Sequence, residues 1–123
     1  MLRALDQARS ETVEALCELI VPGSSRVGPL VYVDAVLANM PPEARDGALA
    51  AIDTLAAAAG SADALAEHEQ TPEFALVRAL AIEAYYSDFV APGRDALGAW
   101  AEIDFNTPLA TRLRKDWSYL GIA

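Results

Sequence analysis

Thr71-Pro72-Glu73-Phe74-Ala75-Leu76-Val77-Arg78-Ala79-Leu80-Ala81-Ile82-Glu83-Ala84-Tyr85-Tyr86 is the stretch that decides the fold. It opens with a complete helix-start signature. Thr71 can cap the first free N–H groups, Pro72 suits the first helical position, and Glu73 faces the positive end of the dipole. Phe74, Val77, Leu80 (or Ala81) and Ala84 then recur at helical spacing. The spacing predicts a helix running to about Tyr85 or Tyr86.

The same grammar continues on both sides. Ser10 reads as an N-cap, with Glu11 and Glu14 in the first turn, and Val13, Leu16, Cys17 and Ile20 form a stripe that Pro22-Gly23 ends. A shorter helical stretch around Leu2, Leu5 and Ala8 is expected before it. Pro29 opens a second stripe of Leu30, Val33, Val36 and Leu37. Pro41-Pro42 opens a third, with Leu49, Ile52, Leu55, Ala56 and Ala59 on one face and Gly60 as its C′ residue. Ser61 predicts a short helix to about Glu69. Thr107-Pro108 repeats the cap-and-proline signature and predicts a last helix through about Lys115. Alanine and leucine dominate, and both favour helix. No alternating run long enough for a strand occurs. The expected fold is therefore all-α: one domain over residues 1–123, a compact bundle of five or six helices with an irregular, aromatic-rich C-terminal segment.

Length and charge bound what such a domain can do. A chain of 123 residues, 54% hydrophobic, can build a core without a metal or disulfide. Its net charge of −9 argues strongly against a phosphate-backbone binder and against docking on an anionic membrane. No run of about eighteen apolar residues predicts a membrane span. The opening Met1-Leu2-Arg3-Ala4-Leu5-Asp6-Gln7 carries an early acid and no apolar stretch. It predicts neither a secretory nor a twin-arginine leader, and hence a cytoplasmic location.

Candidate chemistry is sparse. Cys17, the single cysteine, sits on an apolar face and reads as an inert buried thiol. His68, the single histidine, lies among Glu67, Glu69 and Gln70 and reads as solvated at a helix end. Glu14 and Glu18 share a helix face but have no further ligand to complete a site, so they read as a solvated acidic face. Catalytic, cofactor-binding and metal-binding residues are accordingly expected to be none. The aromatics carry more weight. Tyr85, Tyr86, Phe89, Trp100, Phe105, Trp117 and Tyr119 crowd the last forty residues among Asp, Arg, Pro and Gly. Trp100 and Phe105 fit a core and an interface equally well. Trp117, Tyr119, Leu120 and Ile122 come where a small domain has little left to cover them, and exposed they would form an apolar patch for a partner.

Several segments, taken in order, carry a resemblance. They are Leu16-Cys17-Glu18-Leu19-Ile20-Val21-Pro22-Gly23, Val33-Asp34, Ala51-Ile52-Asp53-Thr54-Leu55, Phe74 through Tyr85-Tyr86-Ser87-Asp88, and Gly98 to Phe105 with Trp100. Together they resemble the gluconate 2-dehydrogenase subunit 3 family, the small subunits of flavoprotein complexes. The resemblance implies a non-catalytic accessory subunit with no cofactor of its own. Its partner would be a large FAD-dependent oxidoreductase subunit of the glucose-methanol-choline (GMC) type, acting on a sugar, sugar acid or other alcohol. Many relatives carry a twin-arginine export signal; its expected absence here implies a cytoplasmic complex. Partner-interface candidates are Tyr85, Tyr86, Asp88, Phe89, Trp100, Phe105, Trp117, Tyr119 and Leu120. The competing expectation is a stand-alone helical domain that binds a small molecule or regulates.

Overall fold

The computed structural model describes residues 2–102 and 117–122. Among these described residues six α-helices follow in order: α1 (Gln7–Ile20), α2 (Pro29–Asn39), α3 (Pro42–Leu55), α4 (Ala62–Ala66), α5 (Pro72–Tyr86) and α6 (Ala99–Glu102). Three 3₁₀ turns, Ser24–Val27, Ala56–Ala58 and Ser118–Leu120, fill the joints. No strand occurs among the described residues, so the all-α class holds. The last expected helix, Thr107 to Lys115, lies outside the described residues.

Helix α5 is the hub, packing against α1, α2 and α3. Its start is as the sequence reads: the Thr71 hydroxyl accepts from Phe74 N at 3.2 Å, with Pro72 next and Glu73 in the first turn. Val77, Leu80, Ala81, Ala84 and Tyr85 are its buried side chains. Those positions are one continuous helical stripe, which is why a single helix can seat three others. Leu16, Leu37, Ile52, Leu55 and Phe89 are fully buried around it. Each contributes roughly 1.5–3 kcal/mol by leaving water.

Three boundaries depart from expectation, each for a local reason. Helix α1 begins at Gln7, not after Ser10, because Asp6 is the cap and its carboxylate accepts from Arg9 N at 2.9 Å. Ser10 is instead buried inside the helix, its hydroxyl donating back to Asp6 O at 2.6 Å. Residues 2–6 form no helix, since the N–H groups of Arg3, Ala4 and Leu5 are taken by Asp34 of α2. Gly60 is not a left-handed C′ residue; α3 winds down through the Ala56–Ala58 turn.

The joint between α1 and α2 is tightly specified. Glu18 reaches forward from α1 and accepts from Gly23 N at 2.8 Å and Ser25 N at 3.0 Å. These bonds hold its carboxyl below the usual carboxylate range. Gly28 ends the turn with φ of 68°, and a Cβ there would lie 2.8 Å from the Ala91 side chain. The loop after α5 is pinned at that spot, with Ala91 N donating to Val27 O at 2.8 Å.

Candidate functional site

The structure separates the aromatic candidates into wall and surface. Phe89 has no exposed surface, and Tyr85, Asp88 and Leu120 are buried. In this chain these four side chains are largely enclosed, with Tyr85 at the wall of a surface cleft described below. Phe105 lies outside the described residues. Trp100 and Trp117 are half-buried, while Tyr86 and Tyr119 are exposed at 57% and 65%.

The expected apolar patch at the C-terminal end is mostly covered. Trp117 meets Tyr32 and Phe89 edge-on, with ring centroids at 6.2 and 5.4 Å, and Tyr32 meets Phe89 at 5.2 Å. The three rings close a wall in edge-to-face geometry, which aromatic quadrupoles favour. Leu120 and Ile122 pack on the same core. Polar groups seal the corner: Leu120 O accepts from the Arg3 guanidinium at 2.7 Å and from the Asn39 amide at 3.0 Å. Only Tyr119 of the expected patch stands clear. The sequence could not show this, because the cover comes from residues far away along the chain.

Asp88 is a joint. Its φ of 64° is left-handed, a conformation that Asp tolerates better than most residues. Its carboxylate accepts from Trp100 N at 3.1 Å, fastening the loop to α6. Gly98 lies so close that a Cβ would sit 2.1 Å from the Asp88 carboxylate oxygen. The other acids of the recognised segments are also joints. Asp34 is buried and holds three N–H groups, and exposed Asp53 pairs with Arg9 through two bonds of 2.8 and 2.9 Å.

Tyr85 belongs to a polar cluster at the end of α5. Its hydroxyl accepts from Arg26, which also pairs with Glu102 of α6, and the guanidinium lies 5.3 Å from the Tyr85 ring centre. Burial pushes the Tyr85 phenol up, helped by its contact with Glu102 and opposed by Arg26. Tyr85 and then Arg26 hold the Glu102 carboxyl below its ordinary value. On α2, burial is also the first cause raising the Tyr32 phenol, followed by the bond it donates to Glu83 at 2.9 Å.

One surface feature was not anticipated. Phe74, Arg78, Ile82 and Tyr86 stand four apart on α5 and form a stripe beside the buried one. With the end of α1 they line two adjoining clefts. The first, of about 390 Å³, is bounded by Ile20, Val21, Pro22, Ile82, Tyr86 and Glu102. The second, of about 220 Å³, is bounded by Leu19, Leu65, Ala66, Glu69 and Phe74. Ile20 and Arg78 line both, so they join into one groove. The four-residue period was legible in the sequence; its position at the rim of the core was not.

Burial, then the charges of Glu14 and Glu18, pushes the Cys17 thiol up to about 12. Among the described residues no three of His, Cys, Asp and Glu are grouped to hold a metal ion, and no helix is long and apolar enough to cross a membrane. Compared with protein-family models, curated proteins and solved structures, the chain gives no match.

Proposed function

We propose that this chain is a non-catalytic small subunit that binds and stabilises a large FAD-dependent oxidoreductase subunit of the GMC type in a cytoplasmic complex. The flavin and the oxidation of a sugar or alcohol belong to that partner. The observation that carries this reading is the in-order resemblance of the segments from Leu16-Cys17 to Gly98–Phe105. The placement of their acids is consistent with it. Asp34, Asp53 and Asp88 each fasten elements distant in sequence, as expected of a pattern that specifies a scaffold. Tyr86, from the same segments, is left on the surface beside a groove of mixed polarity, where a partner can use it.

A second reading has one specific support. The cleft between the end of α1 and α6 brings Arg78, Tyr85 and Glu102 to apolar walls, the mix that small-molecule sites use. One measurement separates the two. The tagged chain is pulled from its source cells, and the eluate is examined by gel and absorbance. A flavin spectrum with a much larger second band is the expected outcome. A colourless, folded single species refutes the accessory role and turns the search to ligands that raise the melting temperature of the isolated chain.

A further inference from the structure

We propose that the groove between the end of α1 and α5 is the docking site for a partner helix that is apolar along one face and carries a carboxylate midway. The inference rests on the accessory-subunit reading and names the surface by which it would operate. Apolar side chains line it alongside polar ones: Leu19 and Ile20 from α1, and Phe74 and Ile82 from α5, all half-buried. From Phe74 to Tyr86 the α5 stripe runs about 18 Å, three turns of a docked helix. Exposed Tyr86 closes one end as a rigid aromatic, the residue type that anchors interfaces.

Charge selects the occupant. Arg78 lies where the two clefts meet and has no ion pair or hydrogen bond among the described residues. Among the described residues it is an unpaired cation, on a chain of net charge −9. Glu69 lines the second cleft and Glu102 the first, where Arg26 already pairs with it. The complementary ridge is therefore apolar in part, with an acid to meet Arg78. A second copy of this chain is a poor occupant. A two-fold contact through this groove sets Arg78 against its own equivalent and brings two strongly acidic bodies together.

The test places the photo-crosslinking residue p-benzoylphenylalanine at Ile82 in the tagged chain, in its source cells. Ala50, exposed on α3 and not lining the groove, is the control position. The captured peptide is identified by mass spectrometry. The expected peptide is an apolar helix with an Asp or Glu near its centre. Arg78→Glu should weaken that complex at least tenfold without lowering the melting temperature of the chain, and Arg78→Gln less. Replacing the partner's acid by Arg should restore most of the binding to Arg78→Glu. Capture of a second copy, capture within the chain, capture of a peptide with no acid, or no capture at Ile82 overturns the proposal. So does a loss below threefold for Arg78→Glu. If a flavoprotein co-purifies but Ile82 captures nothing, the groove fails and the accessory role stands. If the captured partner meets the chemistry but holds no flavin, the groove stands and the accessory role fails.

Discussion

Replacing Asp34 should be among the most damaging single changes outside the apolar core. Its carboxylate is 4% exposed, with one oxygen accepting from Ala4 N and Leu5 N at 2.8 and 3.0 Å and the other from Arg3 N at 2.9 Å. Asp34→Ala removes all three charge-assisted bonds. The Leu5 N–H is buried and loses its acceptor, which costs about 1–3 kcal/mol. The Arg3 and Ala4 N–H groups are partly buried and regain water, so each adds roughly 0.5–1 kcal/mol. The sum is about 3 kcal/mol, or about 12 °C in Tm for a domain of this size. Asp34→Asn should cost less, about 1–2 kcal/mol, because an amide oxygen can keep the bonds to Ala4 and Leu5 while its NH₂ opposes Arg3 N. Chemical denaturation measures the two losses, and amide hydrogen exchange at residues 3–5 locates them. An Ala variant costing under about 1 kcal/mol, or an Asn variant as costly as Ala, refutes the account of Asp34 as the anchor of the N-terminal segment.

Three other outcomes follow from described geometry. Gly98→Ala should lower stability by about 1–3 kcal/mol, because its Cβ would meet the Asp88 carboxylate at 2.1 Å, whereas Gly47→Ala, with open space on exposed α3, should raise it by about 0.5–1 kcal/mol; paired thermal melts decide. Glu18 has a lowered folded pKa, so its contribution is complete above the ordinary carboxylate value of 4.5 and disappears as pH falls through the folded value. The stability gap between the wild type and Glu18→Gln should be constant near neutral pH and close under acid, in denaturation curves taken along a pH series. The Cys17 thiol, at about 12, should ignore thiol reagents at pH 8 until the chain unfolds, so labelling at the rate of a free thiol in native buffer contradicts its burial.

How much of this was legible depends on how local the cause is. Thr71-Pro72-Glu73 specifies a helix start within four residues, and the start is where it should be. Pro29 and Pro42 open their helices for the same reason. Ser10 misled because it is a good cap in isolation, and the better cap lies four residues earlier. The helix expected around Leu2 and Leu5 failed through a competitor 29 residues or more away, the Asp34 carboxylate, which local pattern cannot reveal. The aromatic end repeats that lesson. Its composition resembles a sticky surface, yet Tyr32 and Phe89 supply rings for Trp117 to pack against, and that pairing exists only once α2 and the loop after α5 meet. The groove stripe was readable as a period of four but not as a surface. Whether Phe74 and Ile82 face the core or its rim depends on where α1 ends.

The double hold on the Leu120 carbonyl has a consequence for how the chain is made. Arg3 precedes Leu120 by most of the described chain, yet its guanidinium and the Asn39 amide both donate to the Leu120 carbonyl. Until residue 117 emerges, the Tyr32–Phe89 face of the bundle has no Trp117 ring against it. Local helices can form early, but that wall is closed only once residue 117 has been made. A nascent chain stalled near residue 110 should therefore present an apolar surface that the folded protein hides, and chaperones that read such surfaces should hold it until residue 117 emerges.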